Sequence, residues 1–352
     1  MNQALDTFLW ETHWHLACHR SELLAHGDFL RLTILDREVV VFNDHGEIIA
    51  FDNRCPHRGA RIYLENHGNQ AATCAYHGWT FNRGQFFIPG QEHFKGCDLN
   101  RVDFRRWQTE WVADFLFVGV APNQAIEDQL GDVQPILEDI SFGVMGRHDW
   151  NAYDFQCDWK IAIENALEPY HVDLVHPHSL GVLDLQAGQN DFHGKNSIWY
   201  APLGNAKMAN KLARISEFFS LDFQYKGYAS IYIYPFTMLS STFGYSYSLQ
   251  HFLPSSLPNK THFYSRLLTM ALKPGRSPEL MNSLFASTAE TNRRVFEEDH
   301  QICQRVPADT WSPEPPRYAS DTEAKLLHFR ASCREALQQM INTSSTATSE
   351  LP

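Results

Sequence analysis

Two short motifs in the first quarter of the chain each pair a thiol with an imidazole: Cys55-Pro-His57-Arg-Gly59 and Cys74-Ala-Tyr-His77-Gly78-Trp79, with sixteen residues between His57 and Cys74. Two Cys on one iron and two His on the other make a [2Fe–2S] centre, and the neutral imidazoles raise its potential above that of an all-cysteine cluster. Gly59 and Gly78 follow the ligands where backbone must come close and donate N–H groups to the sulfides. A Cys2His2 zinc site draws on the same ligand types. Cys-x-His is an unusual zinc spacing, however, and the paired His-Gly contexts fit a cluster better. Cys55, His57, Cys74 and His77 are therefore expected to hold it. Cys18, Cys97, Cys157, Cys303 and Cys333 are expected to fill core or surface positions. Seven cysteines is an odd count, and without secretory features it argues against a disulfide framework.

Such a cluster moves one electron and activates nothing. Chemistry needs a second metal with open coordination positions, as in iron held by two His and one carboxylate. The segment Trp159-Lys-Ile-Ala-Ile-Glu164-Asn165-Ala-Leu-Glu168-Pro-Tyr-His171-Val-Asp-Leu-Val-His176-Pro offers two imidazoles. Their i,i+5 spacing would set them about 140° apart on a regular helix, so the helix geometry must change between them. Pro169 and Pro177 are consistent with an irregular segment. The third ligand is sought in a distant acid: Glu297, Glu298 or Asp299. On a helix over 277–304, Phe285, Thr288, Asn292, Val295, Phe296, Ile302 and Cys303 form one largely apolar stripe, and Asp299 falls within it. A carboxylate on an inward face is costly unless it is paired or binds metal. Asp299 is the expected ligand and Glu298 the alternative, while Glu297 points the other way as a solvated charge.

The elements that must position these groups are legible in outline. From about 12 to 120 the chain reads as short β segments (Leu30–Leu35, Glu38–Asn43, Asp114–Val120) punctuated by Gly, Pro and Asn. Longer strand-like runs occupy about 196–271. In Tyr245-Ser-Tyr-Ser-Leu-Gln-His, large and small polar side chains alternate as a half-buried strand requires. Ser277 and Pro278 open the helix that carries Asp299. Ser320 and Glu323 form a capping box for a last helix to about Met340. The expected class is α+β: an N-terminal β domain over 1–125, a catalytic domain over 126–340, and a disordered polar tail over 341–352.

At the two cluster motifs the chain resembles the Rieske non-haem iron oxygenases, the large (alpha) subunits of ring-hydroxylating and demethylating enzymes. Trp14-His-Leu-Ala-Cys is similar to that family's opening segment, and Tyr76-His77-Gly78-Trp79-Thr-Phe81 continues as its cluster loops do. The resemblance covers most of residues 12–335. It implies a Rieske domain followed by a helix-grip catalytic domain with an antiparallel sheet, a Rieske [2Fe–2S] cluster, and a mononuclear Fe(II) on His171, His176 and Asp299. It also implies that Glu168 links the iron site to a cluster histidine of a neighbouring subunit, although aspartate is commoner there, and that Asn165 sits beside the iron ligands. Electrons would come from NADH or NADPH through a separate reductase or ferredoxin, since the chain has no Gly-rich dinucleotide fingerprint. The implied assembly is a homotrimer. The implied reaction uses O2 to hydroxylate or oxidatively demethylate a small organic substrate, with cis-dihydroxylation of an aromatic ring as the alternative. A non-catalytic electron-transfer or ligand-binding relative is the third reading, and no iron ligand looks lost.

Composition narrows the setting. A net charge of −12 argues against nonspecific nucleic-acid binding. No apolar run approaches the roughly 20 residues of a membrane span. The first residues hold neither a basic cluster nor an apolar stretch, so no leader is expected and the reading is cytoplasmic. Residues 51–110 nevertheless carry eight basic against six acidic side chains, a bias that suits docking an acidic electron carrier. Tyr232, Tyr234, Phe236, Phe243, Tyr245 and Tyr247 are expected in sheet core or around a substrate.

Overall fold

The computed structural model describes residues 2–349. Helix α1 (Asn2–Thr12) opens the chain. Its Leu5, Leu9 and Trp10 lie on one buried face, a helix that the β pattern downstream does not foretell. Ten strands follow: β1 (His15–His19), β2 (Asp28–Ile34), β3 (Arg37–Asp44), β4 (Glu47–Asp52), β5 (His67–Asn69), β6 (Ala72–Thr73), β7 (Thr80–Asn82), β8 (Gln85–Phe87), β9 (Arg106–Val112) and β10 (Phe115–Gly119). Seven make one sheet in the order β1-β10-β9-β4-β3-β2-β5, and β6-β7-β8 form a small second sheet. The expected β segments are all present, each within two residues of its anticipated bounds.

The second half holds α2 (Ile126–Leu130), α3 (Gln134–Gly143), β11 (Val144–Phe155), α4 (Trp159–Leu167), α5 (Val172–Val175), β12 (Gln189–His193), β13 (Asn196–Ala201), α6 (Ala206–Ser216), β14 (Tyr228–Ile233), β15 (Thr237–Thr242), β16 (Ser246–Pro254), β17 (Thr261–Met270), α7 (Pro278–Cys303) and α8 (Ala324–Ser349). Its seven-stranded sheet runs β11-β17-β16-β15-β14-β13-β12 with neighbours antiparallel. Helix α6 interrupts what reads as a continuous run of strands, and the Asn205 side chain caps it on Met208 N at 3.1 Å.

One apolar cluster ties the two halves together. Leu30, Val39, Val41 and Trp107 of the first sheet join Trp159 and Ile163 of α4, Phe296 of α7 and Phe329 of α8. Tyr232, Tyr234 and Phe236 lie in this shared core, and Phe243 and Tyr247 lie in a second one under α2 and α3. Of the six aromatics considered for a substrate pocket, Tyr245 lines a cavity.

Ser277 occupies the N-cap of α7 in extended conformation, but its hydroxyl bonds the Glu279 carboxylate and not a backbone N–H. The Ser320–Glu323 capping box forms and leads through a 3-10 turn into α8. That helix runs to Ser349, so 341–349 are helical where polarity suggested disorder. Extending a helix fixes one residue per bond gained, whereas starting one fixes a whole turn, and neither Gly nor Pro intervenes before Pro352. Residues 350–352 of the expected tail lie outside the described residues.

Candidate active site and metal centres

The two thiol–imidazole motifs fold into loops of the same shape. Gly59 N–H donates to Cys55 O at 2.8 Å and Gly78 N–H to Cys74 O at 2.9 Å; Cys55 N–H donates to Ala60 O and Cys74 N–H to Trp79 O, both at 2.8 Å. Gly59 and Gly78 have φ of +74° and +71°, a region that side-chain-bearing residues rarely enter. Cys55 and Cys74 are buried, free thiols, and burial pushes the Cys55 thiol up from its ordinary value. The His57 ring stacks on Trp79 and lies 4.7 Å from the ring of His77. His57 Nδ1 is buried without a hydrogen-bond partner, and an orphaned buried imidazole nitrogen calls for a ligand. Two buried thiols free of any disulfide and this nitrogen, on twin loops, fit a [2Fe–2S] cluster. His77 is exposed at the tip beside Tyr76.

The second site is built by α4, α5 and α7. Asp158 caps α4 through Lys160 N at 2.9 Å. The helix is pinned deep in the protein: buried Lys160 pairs with Asp6 and Asp158 at 3.1 and 2.8 Å. A turn later, Glu164 accepts from Arg330 Nε and Nη2, both at 2.8 Å, and from Trp311 Nε1 at 2.7 Å. Glu168 leaves the helix at φ −119°, ψ 141°, the extended conformation that a following proline favours. Its carboxylate then accepts from Tyr170 N and His171 N, capping the next turn. His171 and His176 flank the single turn α5 as its N-cap and C-cap. The geometry therefore changes at the two ends of the i,i+5 interval, while the turn between them is regular. Gly181 seals the bend: a Cβ there would stand 2.6 Å from the His176 carbonyl oxygen.

Helix α7 brings Asp299 to both imidazoles. Asp299 Oδ1 lies 3.0 Å from His176 Nε2 and 3.5 Å from His171 Nε2, and it accepts from Asn165 Nδ2 at 2.7 Å. On the far side of each ring, Nδ1 faces another acid: His171 Nδ1 meets Glu168 Oε1 at 2.6 Å, and His176 Nδ1 meets Glu298 Oε2 at 2.7 Å. Ser179 also bonds Glu298. An Nδ1–H given to a carboxylate leaves the Nε2 lone pair aimed at the centre, the usual arrangement of metal-bound imidazoles. His171, His176 and Asp299 each offer a ligand atom within 4.8 Å of the others. The donor set, two imidazoles and one carboxylate beside a cavity, fits a facial iron site. Glu298, held in reserve as a ligand, sits behind His176 instead. Glu297 is exposed and accepts from Gln301, as its helix phase requires.

Electrostatics match this picture. Burial pulls the His171 imidazolium down, but hydrogen bonds to Asp299 and Glu168 outweigh it and hold the group up at about 9. His176 also moves up, burial being outweighed there by Asp299 and Glu298. Burial raises Asp299, and the two imidazoles more than compensate, holding it at about 2. Sequence reasoning missed the cavity beside this triad, whose lining includes Trp199, Lys211, Tyr228, Ser240 and Gln250. Tyr170, between the Pro169 break and His171, is exposed.

Residues 13–90 match the Rieske [2Fe-2S] domain family, and residues 142–339 match the ring hydroxylating alpha subunit (catalytic domain) family. Among curated relatives, the glycine betaine monooxygenase oxygenase subunit of Chromohalobacter salexigens is 32% identical over 180 residues, 50% of this chain and 40% of the relative. The anthranilate 1,2-dioxygenase large subunit of Acinetobacter baylyi is 28% identical over 211 residues, 56% of this chain and 45% of the relative. The matched stretches thus span less than half the length of these relatives. Among solved structures, the quaternary ammonium Rieske monooxygenase CntA aligns with a TM-score of 0.75 at 18% identity, covering 95% of this chain and 91% of that one. Naphthalene 1,2-dioxygenase from Rhodococcus aligns at 0.67 and 17%, covering 96% and 91%. By the match to its catalytic half, the chain belongs to the Rieske ring-hydroxylating oxygenase alpha subunits.

Proposed function

We propose that this chain is a terminal oxygenase component: it takes electrons from a separate reductase or ferredoxin and uses O2 to hydroxylate or oxidatively demethylate a small organic substrate. The observation that carries this reading is the convergence of two imidazoles and one carboxylate, each imidazole backed by its own acid, at the wall of a cavity. In it, Cys55, His57, Cys74 and His77 hold the cluster and His171, His176 and Asp299 hold the iron. When bound, the cluster supplies electrons singly and the iron supplies the chemistry of O2. The chain's own groups do the rest. Glu168 and Glu298 fix the imidazole tautomers, Asn165 steadies the Asp299 carboxylate, and the cavity orients the substrate against the triad.

In this reading the chain divides near residue 125 into a cluster domain and a catalytic domain, and it works as a head-to-tail homotrimer. The exposed His77 of one chain comes to Glu168 of the next, so that one side chain joins the two imidazoles. Heterologous contacts of this kind close a ring. The reported structure of the quaternary ammonium monooxygenase concerns inter-subunit electron transfer, which favours the same arrangement. No helix among the described residues is long and apolar enough to cross a membrane, and we place the protein in the cytoplasm beside its electron donor. Relatives named as glycine betaine and carnitine monooxygenases favour monooxygenation. Ring dihydroxylation is the second reading, favoured by the flat walls that Trp199, Tyr228 and Tyr245 give the cavity. The deciding experiment supplies 18O2, NADH, a reductase and a substrate panel. One labelled oxygen per product supports monooxygenation and two support dihydroxylation. Label absent from every product, including formaldehyde trapped before its oxygen exchanges with water, overturns the oxygenase reading.

A further inference from the structure

The cavity beside the triad, about 320 Å3, has an unusual floor. Strands β14, β15 and β16 place Ser230 opposite Ser240 and Ser240 opposite Ser248, a row of hydroxyls across three adjacent strands. In the next row Gln250 stands opposite Met238. Ser230, Ser248 and Gln250 are buried; Ser230 Oγ accepts from Lys325 Nζ at 3.1 Å, and Ser248 Oγ lies 3.4 Å from Ser265 Oγ. One Gln250 nitrogen serves two of the serines, at 3.1 Å from Ser240 Oγ and 3.3 Å from Ser248 Oγ. Its amide oxygen, with two lone pairs, has no protein partner among the described residues. Ser241 Oγ, also on the lining, is buried and unpartnered.

The charges of the lining are as lopsided as its polarity. Its acids, Glu168 and Asp299, are both committed to imidazoles. Lys211, on the exposed side of α6, is the lining's one Lys or Arg and pairs with no carboxylate among the described residues. Beyond the triad the cavity's polar groups are therefore one positive charge, a hydroxyl row and an unfilled amide, set among apolar walls that include Leu183, Leu267 and Phe296.

We propose that this cavity selects a carboxylate-bearing, hydrogen-bonding substrate, with the carboxylate at Lys211 and its polar atoms on the Ser240–Ser248 row and Gln250. This rests on the oxygenase reading above for the role of the cavity. A site built to hydrogen-bond its ligand rejects the analogue that lacks those groups, because its own polar atoms are then left unpaired. The serines of the row already have protein partners, so what an apolar arene strands is the Gln250 amide oxygen, and a cation meets Lys211 with no free acid to offset it.

The test is equilibrium binding to the iron-loaded protein with no electron donor present, using 4-hydroxybenzoate, toluene and benzyltrimethylammonium as probes of comparable size. The expected result is 4-hydroxybenzoate at least about tenfold tighter than either of the others. Lys211→Met, on the surface of α6 where folding is not at stake, should weaken it roughly fivefold at low salt and much less at high salt, with toluene unchanged. Gln250→Leu should narrow the gap between 4-hydroxybenzoate and toluene. Tighter or equal binding of toluene or the ammonium probe, indifference of the carboxylate to Lys211→Met, or binding of none of the three would overturn the proposal. Because no turnover is read, a protein that oxidises nothing can still pass this test. An active oxygenase that prefers toluene fails it.

Discussion

Glu297, Glu298 and Asp299 are consecutive acids whose surroundings could hardly differ more: open solvent, the back of the His176 ring, and the point where two imidazoles meet. A turn of about 100° per residue does this, and it sets three different expectations. Glu297→Ala should leave activity and iron content unchanged within error, since an exposed charge contributes little. Glu298→Ala removes the acceptor for His176 Nδ1 and should weaken Fe(II) binding by roughly 10–100-fold, read by competition with a chelator. Equal iron affinity in the two variants would mean that Glu298 does not position His176. The pH dependence follows from the same contacts. In the iron-free protein His171 is raised to about 9, above its ordinary 6.5, so its ion pairs stabilise the fold fully below about pH 6.5 and are lost as pH rises through 9. Asp299, lowered to about 2, contributes above its ordinary value near 4 and stops contributing as pH falls through 2. Iron must displace the imidazole protons, so Fe(II) affinity should climb between pH 6.5 and 9 with proton release. Calorimetry in two buffers of different ionisation enthalpy checks this, and affinity that is flat over that range would contradict it. The convergence of His171, His176 and Asp299 was legible because metal chemistry restricts residue type and spacing. The place of Glu298 was not, since adjacency alone cannot say which of two inward-leaning acids meets both imidazoles and which backs one of them.

The same limit operates on whole elements. The alternation in Tyr245-Ser-Tyr-Ser-Leu-Gln-His does mark a strand, but β16 is buried along its whole length. The small polar side chains that suggest a solvent face line an internal cavity instead. Period-2 patterning distinguishes two faces and cannot say that the polar one is indoors. Helix α6 was hidden among strands for a related reason: its eleven residues are short, and burial within it falls chiefly on Leu212. The break at Glu168-Pro169, by contrast, was readable from proline sterics alone. What holds that break in place is the buried clamp of Glu164, Arg330 and Trp311, which joins α4 to α8. Removing one partner of a buried pair strands the other charge, at a cost of about 3–5 kcal/mol. Arg330→Met should therefore destabilise the protein by roughly that amount in denaturant titration, and it should loosen iron while sparing the cluster spectrum. A change below about 1 kcal/mol would show that the clamp is not what anchors α4.

For the molecule as a whole, an exposed His77 and a Glu168 whose carboxylate backs His171 make the trimer a testable claim. A cluster-dead chain (Cys55→Ser) co-expressed with an iron-dead chain (His171→Ala) should recover part of the activity that each lacks alone, measured on isolated mixed trimers. Mixed trimers no better than the single variants would place the electron path within one chain. The basic bias of residues 51–110 is half consumed internally: Arg61, Arg101, Arg105 and Arg106 pair with Glu38, Asp98, Asp52 and Asp103. That leaves Arg54, Arg58, Arg83 and Lys95 exposed and outside those pairs, open to the electron donor proposed above. Beneath all of this lies the claim that one chain carries two distinct iron centres. Mössbauer spectroscopy of the 57Fe-loaded protein tests it most directly. About two-thirds of the iron should appear as a Cys2His2-ligated [2Fe–2S] cluster and about one-third as a mononuclear site, and Asp299→Ala should remove the second component alone. A colourless, zinc-loaded protein, or iron confined to the cluster in the unmodified chain, would contradict the account.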